Sequence, residues 1–243
     1  MDISVCILTD KWHERLPSVL ASYHECCSEI LLGANNGFDI RQYPALIQLP
    51  KVKAITLPWQ GYGPTKNALA AHAANDWIFS ADSDEMADHT LQQALQQLSA
   101  PDAHVAFSFR RLNFMGNRPV KHGAWGRRKF FVRLYNRAFT EWSADPVHEY
   151  VLRKPGMTII PVAGRLLHFT ADNYETFARK SRQYATLARE ARKDKPAAGW
   201  KKWIASSFTF LKEYLFLGGF LDGKTGFRVA AENARYTFRK YAR

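Results

Sequence analysis

WQGYGPTKNALAAHAANDWIFSADSDE, residues 59–85, holds an Ala-rich stretch from Lys66 to Ala74, an apolar burst from Trp77 to Phe79, and three carboxylates, Asp82, Asp84 and Glu85, within four residues. The Ala-rich stretch predicts a helix and the burst a short buried strand. Upstream, similar bursts rich in Val and Ile occur at Ile3 to Leu8, Ile30 to Leu32 and Val52 to Leu57, as expected of strands buried on both faces. Between the first two, Trp12, Leu16, Val19, Leu20 and Tyr23 are spaced as one face of a helix. Strand and helix in alternation imply right-handed crossovers and a largely parallel sheet, so the fold class is α/β. Ligands of such sheets sit beyond the carboxyl ends of the strands, where strand order reverses, and the acidic cluster falls at one of those ends.

Downstream, Asp88 is placed to cap a helix bearing Leu91, Ala94, Leu95 and Leu98. His104 to Arg110 and Lys129 to Tyr135 read as strands joined by a Gly-rich, basic excursion. Shorter apolar runs follow at Val147 to Leu152 and Leu166 to Phe169. Beyond residue 173 Tyr174, Phe177, Ser181, Tyr184, Ala188 and Ala191 share a helical face, and DKPAAG at 194–199 reads as a break before a last, aromatic region. The expected division is 1–172 as an α/β domain and 173–243 as a helical extension.

A chain of 243 residues can bury the core of one large domain, or of a domain with an appendage. Apolar residues at 47% and aromatics at 14% exclude extensive disorder. A formal charge of +12 favours polyanionic partners: nucleic acid, phosphorylated substrates or an anionic membrane. The cysteines, Cys6, Cys26 and Cys27, show no metal-ligand spacing and suggest a reducing compartment. MDISVCILTD lacks the features of a secretory signal, so a cytoplasmic location is expected.

Asp82-Ser83-Asp84 has the spacing of a seat for a hard divalent cation that bridges a diphosphate, since Mg²⁺ uses one or two carboxylates and takes its other ligands from phosphate and water. The plain alternative is a solvated loop with a helix-capping acid. In its order of aromatic loop, Lys66-Asn67 and acid-tipped strand, residues 59–85 resemble the family-2 glycosyltransferases, whose fold is GT-A. ISVCILTDKWHERLPSVLASYHECCSEILLGANNGFD resembles that family's first nucleotide-binding unit, and RRLNFMG, VRLYNR, PVHEYV and LLHFT its acceptor half. The ending GGFLDGKTGFRVAAENARYTFRKYAR is similar to the lipopolysaccharide inner-core β-1,4-glucosyltransferase branch. Where family members commonly carry DSGSTD, this chain has GANNGFD.

The resemblance implies an inverting transfer of a hexose, expected to be glucose from a UDP-sugar, to a lipid-linked lipopolysaccharide core acceptor, expected to be heptose, with Mg²⁺ or Mn²⁺ as cofactor. Residues 1–100 would be the donor half and 101–172 the acceptor half. Donor contacts fall to Thr9, Asn35, Asn36, Asp39, Tyr62, Lys66, Asn67, Asp82 and Ser83, and metal ligation to Asp84, Asp82 and His168. Glu149, with Asp145 second, is the expected base that takes the acceptor's proton. Arg110, Arg127, Arg128 and His148 would meet the acceptor. For Lys66 the plain alternative is a solvated first-turn lysine, for Trp59 and Tyr62 core packing, for Glu149 an ion pair with a basic residue, and for His148 and His168 a structural role.

WKKWIASSFTFLKEYLFLGGFL, residues 200–221, is apolar enough to raise a membrane span, but Lys212 and Glu213 in its middle argue against one. Trp200, Trp203, Lys201 and Lys202 suit a helix lying in a membrane interface, so peripheral attachment to the cytoplasmic face of the inner membrane is expected; packing on the sheet domain is the alternative. Two other classes compete. A sugar nucleotidyltransferase would need a Gly-rich phosphate loop that SVCILTDKWHERL lacks. A nucleic-acid-binding module finds charge and aromatics but no signature, and no nucleic-acid partner is expected. A catalytically inactive carbohydrate- or nucleotide-binding relative is distinguished by binding without turnover.

Overall fold

The computed structural model describes residues 1–126, 130–145, 149–190 and 199–242. The chain divides into two compact units, one of Met1–Arg111 with Lys129–Leu167 and one of Leu112–Arg128 with His168–Arg243. Its strands are β1 (Ile3–Thr9), β2 (Glu29–Ala34), β3 (Val52–Thr56), β4 (Trp77–Asp82), β5 (Glu85–Ala87), β6 (Val105–Met115), β7 (Arg118–Val120), β8 (Phe130–Asn136) and β9 (Thr158–Ala171). Its α-helices are α1 (Leu16–Tyr23), α2 (Pro44–Ile47), α3 (Tyr62–Ala71), α4 (His89–Gln97), α5 (Tyr174–Glu190), α6 (Lys201–Leu211) and α7 (Gly223–Tyr241). The α/β class is that expected from the sequence and is consistent with a GT-A fold.

In the first unit the strands are ordered β3-β2-β1-β4-β8-β6-β9-β5. β3, β2, β1 and β4 pair in parallel, with Ile7 opposite Leu32 on one side and Ala81 on the other. β8 turns antiparallel to β4 and to β6. The period of two sorts the core into two faces. Val5, Ile7, Ile30, Leu32 and Phe79 join Leu16, Val19, Leu20 and Tyr23 of α1 on one face. Cys6, Leu31 and Ile78 join Leu69 and Ala70 of α3 on the other. The cysteines are buried and unbridged. Burial pushes the thiols of Cys26 and Cys27 up to about 11 and about 12, so they behave as small core residues.

Several boundaries differ from the sequence reading, each for a local reason. β3 is an edge strand with Lys53 and Ala54 exposed, so it is not covered on both faces, and Lys53 reaches back to Glu29 at 2.8 Å. Trp12 lies before α1, which starts at Leu16 with proline in its first turn, and stacks on Tyr43 at 4.6 Å instead. α3 starts at Tyr62, four residues before Lys66, because Gly61 supplies a positive φ of 97° at the N-cap. Leu166 to Phe169 is the end of a longer strand, β9, whose first half is masked in sequence by Pro161 and Gly164. Of the run Val147 to Leu152, residues 147 and 148 lie outside the described residues, and Val151 forms a single bridge to Trp142.

In the second unit β7 pairs with Asn113–Met115, and α5 packs with α7 as α6 does. Ala171, Phe177 and Val229 form its small core with Met115, Trp125 and Tyr174. α6 runs into a π-helical turn, Lys212–Phe216, and a 3₁₀ turn, Gly219–Asp222, before α7. Among the described residues no helix is long and apolar enough to cross a membrane.

Candidate functional site

β1 has β2 on one flank and β4 on the other, and strand order reverses between β1 and β4. Asp82, the last residue of β4, lies opposite Leu8 in register and therefore beside the carboxyl end of β1. This is the position where open α/β sheets bind ligands. The two-residue turn Ser83-Asp84 follows, and β5 begins at Glu85.

Asp82 lies between two buried cations. Lys66 Nζ donates to its Oδ1 at 3.0 Å, and Arg133 Nη2 donates to its Oδ2 at 2.6 Å. Lys66 is only 4% exposed, which rules out the solvated lysine considered from sequence, since an ammonium so buried requires carboxylate partners. Its second partner is Glu149, Oε1 accepting from Nζ at 3.1 Å, and its ammonium also lies 4.2 Å from the centre of the Trp142 ring. Arg133 gives a second hydrogen bond to the wholly buried Glu85, at 2.8 Å, and the Arg111 guanidinium approaches the same Glu85 oxygen at 3.4 Å. The other Glu85 oxygen accepts from the Asp82 amide at 3.3 Å, closing the turn between β4 and β5. Burial by itself lowers the pKa of Arg133, but the adjacent Asp82 and Glu85 carboxylates outweigh it and raise the group above its ordinary value. Burial, with Glu85 adding to it, raises the Tyr23 phenol well above its usual range, and its hydroxyl donates to the Glu85 carbonyl oxygen at 3.1 Å.

Local packing holds this cluster in place. Asn67 grips the backbone of Trp142 twice, Nδ2 donating to its carbonyl at 2.9 Å and Oδ1 accepting from its amide at 2.9 Å. Gly63 lets α3 approach closely: a Cβ there would stand 1.8 Å from the Ser143 carbonyl oxygen. The Ser143 hydroxyl then accepts from the Tyr150 amide at 3.2 Å, next to Glu149.

The structure gathers Lys66, Asp82 and Glu149 from the sequence-derived candidates with Glu85, which the sequence reading set in the acidic cluster without a role, and adds Arg133, Arg111 and Trp142, which sequence reasoning did not place there. Arg133 had a legible signal, a lone cation in the apolar run FFVRLYN. Thr9 ends β1, buried, its hydroxyl donating to the Lys11 carbonyl at 2.7 Å. Asn35 follows β2 at 3% exposure, and its amide oxygen is buried without a hydrogen-bond partner. Asn36 is exposed in a left-handed conformation, φ 52°. Asp39 is held by Arg41, whose hydrogen bonds lower its carboxyl pKa. Tyr62 is half-exposed and meets Trp59 edge-on at 4.8 Å. Ser83 and Asp84 are half-buried, and Asp145 is exposed. Arg110, on the strand face opposite Arg111, stands 5.2 Å from the Phe130 ring in a cleft of about 710 Å³ shared with Arg165 and Thr90. His168 belongs to the second unit, where its Nδ1 bonds Asn113 Oδ1 at 2.7 Å. Arg127, Arg128 and His148 lie outside the described residues.

Among the described residues no three His, Cys, Asp or Glu side chains converge as a metal cage. Each Asp82 oxygen already accepts from a cation. Mg²⁺ takes only one or two protein carboxylates and fills its shell with phosphate and water, so it needs no such cage.

Residues 39–155 match the family described as Glycosyl transferase family 2, a span that contains every member of the charged cluster. The matched span is just under half of the chain. Among solved structures the chain is similar to a crystal structure of S. aureus TarS, with 13% identity and a TM-score of 0.41 over 90% of this chain and 45% of that one. It is also similar to the crystal structure of S. aureus TarS 1-349, with 15% identity and a TM-score of 0.39 over 98% of this chain and 80% of that one. The chain spans less than half the length of the first of these.

Proposed function

We propose that this protein is a family-2 glycosyltransferase that moves a hexose from a nucleoside-diphosphate sugar to a hydroxyl of a lipid-linked core oligosaccharide, with inversion. The observation that carries the reading is the meeting of Glu149 with Lys66 and Asp82 at the rim of the switch point, across 83 residues of sequence. A carboxylate beside the donor seat is what a single displacement requires. The acceptor oxygen bonds to the anomeric carbon as the bond to the diphosphate oxygen breaks, and the hydroxyl proton passes to Glu149; Asp145 is the alternative base. Lys66 holds Glu149 in position through its ammonium. It also lies beside the seat of the departing diphosphate, where a fixed cation stabilises developing negative charge. Asp84 would hold a Mg²⁺ or Mn²⁺ ion, which supplies Lewis-acid stabilisation of the leaving diphosphate when bound.

Thr9 and Asn35 line the donor side of the rim in this reading. The unpartnered side-chain oxygen of Asn35 supports it, because a buried unpaired polar atom costs about 1–3 kcal/mol until a ligand pairs it. A nucleotide base or ribose hydroxyl supplies such a partner. Arg110 and the basic stretch containing Arg127 and Arg128 would receive an anionic acceptor. A uridine nucleotide carrying glucose, and a heptose acceptor on the cytoplasmic face of a membrane, complete the proposal.

The test is a thermal-shift panel of nucleoside diphosphates with and without Mn²⁺, on wild type, Asp84→Ala and Asn35→Ala. One nucleotide should raise the wild-type melting temperature in a metal-dependent way, by about 2.7 kcal/mol of added stability at a hundredfold excess over Kd. Asp84→Ala should remove the metal dependence, and Asn35→Ala should weaken the nucleotide with metal present. Equal shifts in wild type and Asp84→Ala would remove the metal from the proposal.

A further inference from the structure

The three acids in residues 199–242 are all turned inward. Glu213 is 9% exposed and accepts from Asn233 Nδ2 at 2.7 Å. The Asp222 side chain is 7% exposed and accepts from the amides of Lys121 and His122 and from the His122 ring. Glu232 is 1% exposed and is paired with Arg239 at 2.6 Å and Arg235 at 3.3 Å. Many large apolar residues of the same segment point outward, while Val229 faces the core. Trp200, Trp203, Ile204, Phe208, Leu211 and Leu215 recur at helical spacing and are exposed, and Phe216, at 79%, is exposed in the turn that follows. At about 100° per residue, Lys201 and Lys212 fall on the border of that stripe. Both are exposed, as are Lys224 and Arg228 on the following helix.

A water-soluble helix normally shows polar side chains outside and apolar ones inside. Here acids are withdrawn while cations and aromatics share the exterior. That pairing separates two occupants. The centre of a protein–protein interface is depleted of lysine, whereas an anionic bilayer takes indole and aliphatic side chains at its headgroup boundary and lysine at its phosphates. We propose that the exposed face of α6 and of the turns that follow it docks on an anionic phospholipid surface, lying in the interface without crossing it. Trp200, Trp203, Phe208 and Phe216 insert at the headgroup level, and Lys201, Lys212 and Lys224 meet lipid phosphates. The proposal deepens the reading above, in which the acceptor is lipid-linked. It is tested on lipid alone, so it can fail while nucleotide binding stands, and nucleotide binding can fail while it stands.

The experiment is co-sedimentation of the full chain with vesicles of pure phosphatidylcholine and of phosphatidylcholine mixed with phosphatidylglycerol, at low and high salt. Wild type should partition at least about tenfold better onto the anionic vesicles, and high salt should reduce that preference. Trp203→Ser combined with Phe216→Ser should lower partition about tenfold, and Lys201→Glu combined with Lys212→Glu should abolish the anionic preference. Trp203 also meets the Phe238 ring at 4.8 Å and Lys212 lies beside Glu213, so melting temperatures are measured too and partition is compared well below them. A second measurement needs no variant: brominated lipid should quench wild-type tryptophan fluorescence in anionic vesicles. Absence of wild-type partition at low salt, or equal partition onto both vesicle types, would overturn the proposal. So would a solution dimer that Trp203→Ser dissociates, which would show that a second copy covers this face.

Discussion

The Arg133 guanidinium donates to Asp82 at 2.6 Å and to Glu85 at 2.8 Å while almost fully buried, so it is the cation that the two carboxylates share. Removing one partner of a buried ion pair leaves an uncompensated charge, at a typical cost of about 3–5 kcal/mol. Arg133→Met should therefore lower the unfolding free energy by about that amount in urea titration. Arg111 offers an internal comparison, since it meets the same Glu85 oxygen at 3.4 Å from a side chain one-quarter exposed and keeps the Phe131 ring 4.2 Å from its guanidinium. Arg111→Met should cost less than about 1 kcal/mol, the range of a weak, partly hydrated pair. Equal losses in the two variants would mean that the Arg133 fork carries no special share of the rim's stability.

At the scale of elements, the π turn at Lys212–Phe216 and helix α7 place two acids in opposite electrostatic settings. Burial raises the Glu213 carboxyl above 4.5, and the hydrogen bond from Asn233 and the nearby Lys212 charge offset this only in part. Its folded pKa exceeds its unfolded one, so its contribution is fully present below about 4.5 and is lost as pH rises through the higher folded value. Glu213→Gln keeps the hydrogen-bond acceptor and never ionises. It should raise the melting temperature at pH 7 and converge on wild type near pH 4, a crossover that differential scanning calorimetry across pH can read. Burial pushes Glu232 the same way, but hydrogen bonds from Arg239 and other neighbours outweigh it and lower its pKa, so its contribution is lost as pH falls. Elements with a strict period were legible in the sequence: the bursts of β1, β2 and β4 and, from Leu16 onward, the face of α1 are where the apolar spacing puts them. β5, β7 and the first half of β9 were not legible. The first two are three residues long, and Pro161 and Gly164 interrupt the third, whose pairing is decided by neighbouring strands and not by its own pattern.

Across the whole molecule, the legible part of the site is the part that is contiguous. Asp82, Asp84 and Glu85 stand together in the chain at a strand end, so both their place and their charge could be read. The cations that compensate Asp82 arrive from α3 and β8, and only the folded chain shows that Lys66 and Arg133 share it. Even the Lys66-Asn67 pair, visible as a dipeptide, divides its work in a way sequence does not reveal: Lys66 enters the charged cluster while Asn67 fastens Trp142 from the same helix. The longest reach is from Lys66 to Glu149, 83 residues away, and it permits a direct measurement of whether the rim acts as one unit. Lys66→Met leaves Asp82 with Arg133 but removes the ammonium from Glu149; Glu149→Gln removes the charge that Lys66 faces on that side. If the contact is energetic, the double variant should be less destabilised than the sum of the singles by about 0.5–3 kcal/mol, the usual coupling of contacting residues. The same cycle on transfer rate should be strongly non-additive, because a base and the cation that positions it fail together. Additivity within about 0.3 kcal/mol in stability, together with additive rate losses, would mean that the two residues are neighbours without cooperation. Glu149 would then have to be held by the backbone around Ser143 and Tyr150 alone.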